Sequence, residues 1–297
     1  MDRIKKIICI CILFLSSSVL AEQTDQFKKQ LEDYKARYNF YSIKDTLYTI
    51  KSELELPQGY SYVDPTDSLS YSYWIANFPI WNQYKPVGNW KHRKQFNSDE
   101  VSRVIHLPWQ GPAFKDVAIP VRLLGEYGFQ FNNRLAFQIM PKAGEMITYK
   151  KWLQGKPAYN QRGELLFKED ILKDDTENEY YRFILFSMQN VNFESITKSC
   201  DTVLIDSVQA GDMFIAYDKT GKKGKLYIIF HLISDDSGNI MYLVANGCPE
   251  ACDLYIPKVN ENRDNPWITI KQLRQLTNEY NNSKFYRFKT ITNDNIE

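Results

Sequence analysis

Residues 207–255 carry the strongest strand pattern in this chain. They open with Ser207-Val-Gln-Ala-Gly-Asp-Met-Phe-Ile-Ala-Tyr217 and pass through a Lys/Gly turn into the apolar run Leu226-Tyr-Ile-Ile-Phe-His-Leu-Ile-Ser234. A second turn, at 235–239, leads into Ile240-Met-Tyr-Leu-Val-Ala-Asn-Gly247. Three β-branched and aromatic runs separated by two polar, Gly-containing turns are typical of an antiparallel meander. The central run is apolar at nearly every position, so we expect it to be buried on both faces.

Helical patterns surround this meander and predict an α+β fold in which helices pack on an antiparallel sheet. Residues 114–128 carry apolar side chains on one helical face, and Pro120 fits this helix only within its first turn. Other segments are predicted as helices at 71–79, 149–155, 180–187 and 270–279, as strands at 101–108 and 135–139, and as a polar excursion at 156–175.

The N-terminus has the composition of a secretory signal peptide. Arg3, Lys5 and Lys6 form a charged start, residues 7–15 are apolar, and Ala21 is the small residue that precedes a cleavage site. The alternative is an uncleaved anchor, but the apolar run is shorter than the roughly 20 residues that a spanning helix needs. We therefore expect a signal peptide at 1–21 and a periplasmic or secreted protein. Spaced aromatic residues predict a helical segment at 22–56, ahead of the main domain at 57–297.

The charge balance argues against nucleic acid as a partner. The chain has 37 basic and 36 acidic residues and a formal net charge of +1, and removing residues 1–21 leaves it close to neutral. No later run is apolar enough over a sufficient length to cross a bilayer, so we expect no membrane span after signal removal. We also expect no cofactor.

The cysteines predict one disulfide. Cys9 and Cys11 would leave with the signal peptide, and Cys200, Cys248 and Cys252 remain. In an oxidising compartment three cysteines favour one disulfide and one free thiol, and the spacing leaves the pairing open. Zinc is the alternative for the pair four residues apart, but no second Cys/His cluster accompanies it, so we expect no metal.

A helix followed by a three-stranded meander is the minimal frame of a papain-like cysteine hydrolase. In such enzymes a thiolate at the helix N-terminus is activated by the helix dipole and by an imidazole from a following strand. A third polar residue on the next strand orients the imidazole. The helix at 114–128 and the meander at 207–255 supply this frame.

Several short motifs carry a resemblance to a known family. They are Pro57-Gln-Gly59-Tyr60, residues 71–79, Arg122-Leu-Leu-Gly-Glu-Tyr127, Tyr149-Lys-Lys-Trp-Leu-Gln-Gly155, Gly211-Asp-Met-Phe214 and Val244-Ala-Asn-Gly247. In their order and spacing the chain resembles the secreted bacterial family called domain of unknown function 4846, which is similar to NlpC-type and other papain-like peptidases and amidases. The resemblance implies a papain-like (NlpC-type) antiparallel meander with packed helices.

The chain departs from that family at the reacting positions. The resemblance places the nucleophile at Asp116, the base at Lys225 and the third polar residue at Asn246. Asp116 and Lys225 would form an ion pair in the vacated site or be two solvated surface charges. His106 is interpreted as a structural residue, and His231 lies on the central strand about 20 Å beyond Lys225.

Three functions are therefore in competition. The leading hypothesis is a catalytically silent papain-like domain that binds peptidoglycan or an envelope protein, with Asp116, Lys225 and Asn246 around a cleft. The second is an active hydrolase of cell-wall peptides or a related amide with a non-standard catalytic set. The third is an interaction protein that docks a partner through the aromatic N-terminal helix.

Overall fold

The structure is a computed structural model that describes residues 48–81, 85–107, 111–131, 133–280 and 282–293. The predicted signal peptide and most of the predicted segment at 22–56 lie outside these residues. The described helices are α1 (Ile50–Glu53), α2 (Tyr71–Ala76), α3 (Ile119–Gln130), α4 (Tyr149–Gln154), α5 (Glu177–Gln189), α6 (Phe193–Lys198), α7 (Ile270–Leu276) and α8 (Lys289–Asn293). None of them is both long and apolar enough to cross a bilayer.

The strands are short except in the region of the predicted meander. They are β1 (Tyr60–Tyr62), β2 (Val87–Gly88), β3 (Lys94–Phe96), β4 (Val101–Val104), β5 (Gln138–Ile139), β6 (Ile147–Thr148), β7 (Gly155–Tyr159), β8 (Leu165–Glu169), β9 (Cys200–Val203), β10 (Met213–Tyr217), β11 (Gly224–Asp235), β12 (Ile240–Ala245), β13 (Tyr255–Pro257) and β14 (Lys284–Phe288). Together with the helices they give the α+β architecture that the sequence predicts.

The predicted meander is confirmed as β10, β11 and β12, three antiparallel neighbours in a six-stranded sheet. The sheet follows the pairing order β1-β11-β10-β14-β9. The strands β1 and β10 pair with different stretches of one edge of the long strand β11, and β12 pairs with its opposite edge. Every side chain from Leu226 to Ile233 is buried, as expected for a strand covered on both faces. The register between β11 and β12 shifts between Ile229 and His231, which marks a bulge at Phe230.

The two faces of the sheet pack against different elements. One face carries an aromatic and aliphatic core that includes Tyr227, Tyr242 and Phe285 and is covered by Leu273 of α7. On β11, α2 packs through an edge-to-face contact between Phe78, just beyond the helix, and Phe230. The turn that leads into α3 also contacts β11, so the start of this helix lies beside the meander.

The central helix α3 contains a buried ion pair. Pro120 lies in its first turn, as predicted. Arg122 and Glu126, one helical turn apart, form a salt bridge with almost no solvent exposure. The Arg122 guanidinium lies 5.5 Å from the Tyr181 ring of α5, and the Tyr181 hydroxyl is 3.4 Å from Glu126 Oε1. The motif Arg122-Leu-Leu-Gly-Glu-Tyr127 therefore joins α3 to α5 through a paired charge.

The predicted polar excursion at 156–175 contains strands that the sequence pattern did not indicate. Residues 155–169 form the hairpin β7–β8, whose turn uses Gly163 at a φ of 75°. Leu165 is completely buried. Its backbone lies so close to Gly144 that a Cβ atom added to Gly144 would overlap it. This contact is between distant segments, so the local polarity of the sequence concealed the strand.

The predicted strand at 135–139 is only half correct. Arg134–Ala136 is a 3-10 turn, and the strand is limited to β5, which pairs with β6. The strands β9 and β14, which extend the sheet beyond β10, were not predicted. Both are short and amphipathic, and β14 directly precedes α8, so neither has a long apolar run that would identify it from sequence.

Candidate functional site

The first part of the candidate site is the turn before α3, which contains Asp116. Asp116–Ala118 form a 3-10 turn. The Asp116 amide donates to the carbonyl of Cys248 at 3.1 Å, and the Val117 amide donates to Asp116 Oδ1 at 2.7 Å. The carboxyl group is thus held at the helix entry, and Asp116 is only 9% exposed.

Burial controls the protonation of this carboxyl group. Desolvation raises the pKa of Asp116, and the neighbouring charge of Glu250 acts in the same direction. The Val117 amide and the charge of Lys115 partly oppose this shift. Burial also raises the pKa of Tyr255 to about 12, with the charge of Asp116 contributing. Asp116 and the Tyr255 phenol are therefore electrostatic neighbours.

Asn246 lies beside the same tyrosine. Its amide donates to the carbonyl of Tyr255 at 2.8 Å, and the Tyr255 amide donates back to the carbonyl of Asn246 at 2.9 Å. Asn246 Oδ1 is buried and has no hydrogen-bond partner among the described residues. The structure thus brings Asp116 and Asn246 to one end of the sheet, with Tyr255 as their common neighbour.

Lys225 is paired with Glu279 rather than with Asp116. It is the second residue of β11, opposite Ala216, and its Nζ lies 3.0 Å from Glu279 Oε1. Side chains two residues apart on a strand share a face, and Tyr227 belongs to the core under α7. Lys225 is therefore directed toward the segment after α7, and Asp116 forms no ion pair within the described part of the chain.

A disulfide loop covers the start of α3. Cys248 and Cys252 are bonded, with their Cα atoms 5.4 Å apart, which confirms the disulfide and resolves the pairing. Ala251 adopts a left-handed φ of 60°, and its amide donates to the carbonyl of Cys248, so the chain folds back on itself. A Cβ added at Gly247 would overlap the Ile119 side chain and lie 3.1 Å from Asp116 Cα, so strand end and helix start are in direct contact.

The hairpin β2–β3 holds this loop in place. The Trp90 amide donates to the carbonyl of Ala251, and the Asp253 amide donates to the carbonyl of Gly88. Asp253 Oδ2 in turn accepts from the Gly88 amide at 2.8 Å and from Lys85 Nζ at 3.0 Å. The loop that covers Asp116 is thus fixed by a covalent bond, backbone pairing and a buried carboxylate.

Two of the histidines are structural. His106 is fully buried and stacks on Trp81 with ring centroids 3.9 Å apart, and burial lowers its pKa to about 3. His231 is also fully buried, its Nδ1 lies 2.9 Å from the Leu232 amide nitrogen, and desolvation lowers its pKa. An imidazole held neutral and enclosed in this way is a poor proton acceptor for substrate chemistry.

The free thiol in the part of the chain that the structure describes is equally enclosed. Cys200 begins β9, is buried and is not part of a disulfide. Burial raises the pKa of its thiol well above the usual value, and the charges that act on it come from Asp201, Lys289 and Asp212 rather than from a histidine. In the described ranges, no three His, Cys, Asp or Glu side chains are grouped so that they could hold a metal ion.

We expect Cys200 to resist alkylation in the native protein. Because the thiol is buried and its pKa is raised, thiolate is scarce and inaccessible at neutral pH. Iodoacetamide labelling followed by peptide mass mapping should modify Cys200 only after denaturation. Rapid labelling of native protein at Cys200 would show that the thiol is accessible and would reopen it as a nucleophile.

Comparison with known proteins identifies the family. Searches of the curated proteins and of the solved structures each found no match. The family model described as "Domain of unknown function (4846)" matches residues 50–289, which include α1, the whole six-stranded sheet, the disulfide loop and α3. This match covers most of the chain, and the protein therefore belongs to the family described as Domain of unknown function (4846).

Proposed function

We propose that this protein is a catalytically silent papain-like domain that acts as a binding or scaffold module in the bacterial cell envelope. The signal-like residues 1–21 support the envelope location. The order of a central helix followed by the antiparallel meander β10–β12 supports the papain-like, NlpC-type frame. Peptidoglycan or an envelope protein is the proposed partner.

The observation that carries this proposal is the carboxyl group at the entry to α3. A papain-like enzyme needs a thiolate at this point and an imidazole close to it. Here Asp116 takes the first position and is covered by the Cys248–Cys252 loop, while Lys225 is paired with Glu279. A buried carboxyl group without a neighbouring imidazole cannot form the thioester on which that chemistry depends.

One observation favours the alternative, a hydrolase with a non-standard catalytic set. Asp116 has a raised pKa, lies near Tyr255 and shares this region with an Asn246 oxygen that has no described partner. A carboxyl group with a raised pKa is a common general acid. The close contact between Gly247 and the start of α3 weighs against this alternative, because it leaves a substrate no room between those atoms.

Incubation with peptidoglycan fragments distinguishes the two functions. The purified protein should leave the fragments intact, as followed by chromatography and mass spectrometry, while a pull-down on insoluble peptidoglycan reports binding separately. Asp116→Ala and Cys248→Ser serve as matched variants. Cleavage by the native protein that either substitution abolishes would establish the hydrolase and overturn the silent domain.

A further inference from the structure

A cleft of about 790 Å³ lies away from the covered position of Asp116. Its walls come from the segment 63–72 between β1 and α2, from Tyr127 and Phe131 at the end of α3, and from the segment 208–210 before β10. Because α3 rises about 1.5 Å per residue, these aromatic residues lie some 12–18 Å along the helix from its first residue. The volume is within the range of ligand-binding pockets.

The wall at 63–72 exposes apolar side chains to this cleft. Val63 is 43% exposed and Leu69 is 60% exposed, and both line the cavity. Opposite them lie the rings of Tyr127 and Phe131, whose centroids are 4.7 Å apart. The Tyr127 hydroxyl donates to the carbonyl of Leu69 at 2.6 Å, which fixes the wall against α3. A ligand with an apolar group would remove this surface from water.

The charges at the cleft are balanced except at Asp67. Arg287 is bonded to the buried carboxylate of Asp212 at 2.7 and 2.8 Å. Asp64 forms an ion pair with Lys51, and its Oδ1 lies 3.4 Å from the buried Nε2 of His231. Asp67 is exposed, and among the described residues its carboxylate accepts one hydrogen bond, from the Leu69 amide, and forms no ion pair, so this part of the cleft wall carries a negative charge.

The backbone of the same wall is open for pairing. After Val63, whose amide donates to the carbonyl of Leu232, the amides of Asp64, Thr66 and Asp67 donate to no described group. Pairing with this edge of β11 ends at Val63 on one side and at Gly211 and Asp212, which bond to Ile229, on the other, so residues 64–67 follow the last paired residue of the β1 segment. An extended peptide can satisfy such amides along its main chain, whereas a compact small molecule satisfies fewer.

We propose that this cleft binds an extended peptide segment that carries a lysine or arginine beside an apolar side chain. The basic group pairs with Asp67, the apolar side chain packs between Leu69 and the α3 aromatic residues, and the peptide main chain bonds to the segment after Val63. This site gives the proposed binding module a ligand surface. It is independent of whether the region of Asp116 has any activity.

Fluorescence anisotropy with a labelled peptide of alternating leucine and lysine tests the charge part of the proposal. The full chain should bind this peptide at least about tenfold more tightly than the same peptide with glutamate in place of lysine. Asp67→Asn keeps the acceptor for the Leu69 amide but removes the charge, and should weaken binding about fivefold. Asp236→Asn, an exposed carboxylate in the β11–β12 turn, should leave affinity unchanged.

A second pair of variants tests the apolar part. Leu69→Ala should weaken binding of the leucine–lysine peptide about tenfold, because it removes a side chain from the cleft wall. Leu172→Ala is the control, because Leu172 is also well exposed, at 70% against 60% for Leu69, and does not line the cleft. Equal binding of the two peptides, equal effects of a cleft variant and its control, or no detectable binding would each overturn the proposal. Peptidoglycan cleavage is measured separately, so a failure here would not decide the proposed function.

Discussion

Replacing Glu126 with alanine is expected to destabilise the protein by about 3–5 kcal/mol, because it removes the carboxylate that faces a buried guanidinium. Arg122 is fully buried on α3, and its salt bridge to Glu126 has almost no contact with water. A charge that stays in a low-dielectric interior after losing its partner retains its desolvation cost but not the compensating attraction. Urea denaturation of the native protein and Glu126→Ala gives the free energy of unfolding directly.

The matched control is a salt bridge of the same spacing on the surface. Glu194 and Lys198 of α6 are also four residues apart, but both are well exposed. Glu194→Ala should therefore lower the free energy of unfolding by about 0.5 kcal/mol or less. The double variant Arg122→Met with Glu126→Leu should recover much of the stability lost by Glu126→Ala, since it removes both charges. Equal costs for Glu126→Ala and Glu194→Ala would refute the buried-charge explanation.

Replacing Trp267 with alanine is expected to cost about 3–5 kcal/mol, through the loss of a large buried side chain and the cavity that it leaves. Trp267 is 1% exposed and packs against Tyr62 and His231, with ring centroids 6.0 and 6.3 Å away. Its indole Nε1 also donates to the carbonyl of Glu55 at 2.9 Å. The residue thus joins the segment before α7 to β1, β11 and the chain after α1.

Trp90 provides the control for this substitution. It is 36% exposed, and the ammonium of Lys91 lies 5.0 Å from the centroid of its ring. Trp90→Ala should therefore cost less than about 1 kcal/mol. Trp267→Phe keeps an aromatic ring but removes the donor to the Glu55 carbonyl, so its loss of stability should lie between those of Trp267→Ala and Trp90→Ala. Urea denaturation measures the stability of each variant. Similar unfolding midpoints for Trp267→Ala and Trp90→Ala would show that Trp267 is not a central packing residue.

The candidate site was predictable in part. The residue at the helix entry, Asp116, could be identified because the helical pattern and the motif at Arg122 are local properties of the sequence. The direction of Lys225 could not, because it depends on Glu279, which is 54 residues further along the chain. The disulfide pairing also depended on structure, since the spacing of the three cysteines left it open and the fold brings the Cα atoms of Cys248 and Cys252 to 5.4 Å.

Sequence alone was enough to predict the antiparallel meander, the central helix and the place of Asp116 in the chain just before that helix. These properties follow from hydrophobic periodicity and residue identity within short segments. Only the folded chain shows that the disulfide loop covers Asp116 and that a cleft forms elsewhere between residues 63–72, the aromatic residues Tyr127 and Phe131, and residues 208–210. Such contacts join residues far apart in the chain, and their geometry depends on how complete elements pack, which no local pattern encodes.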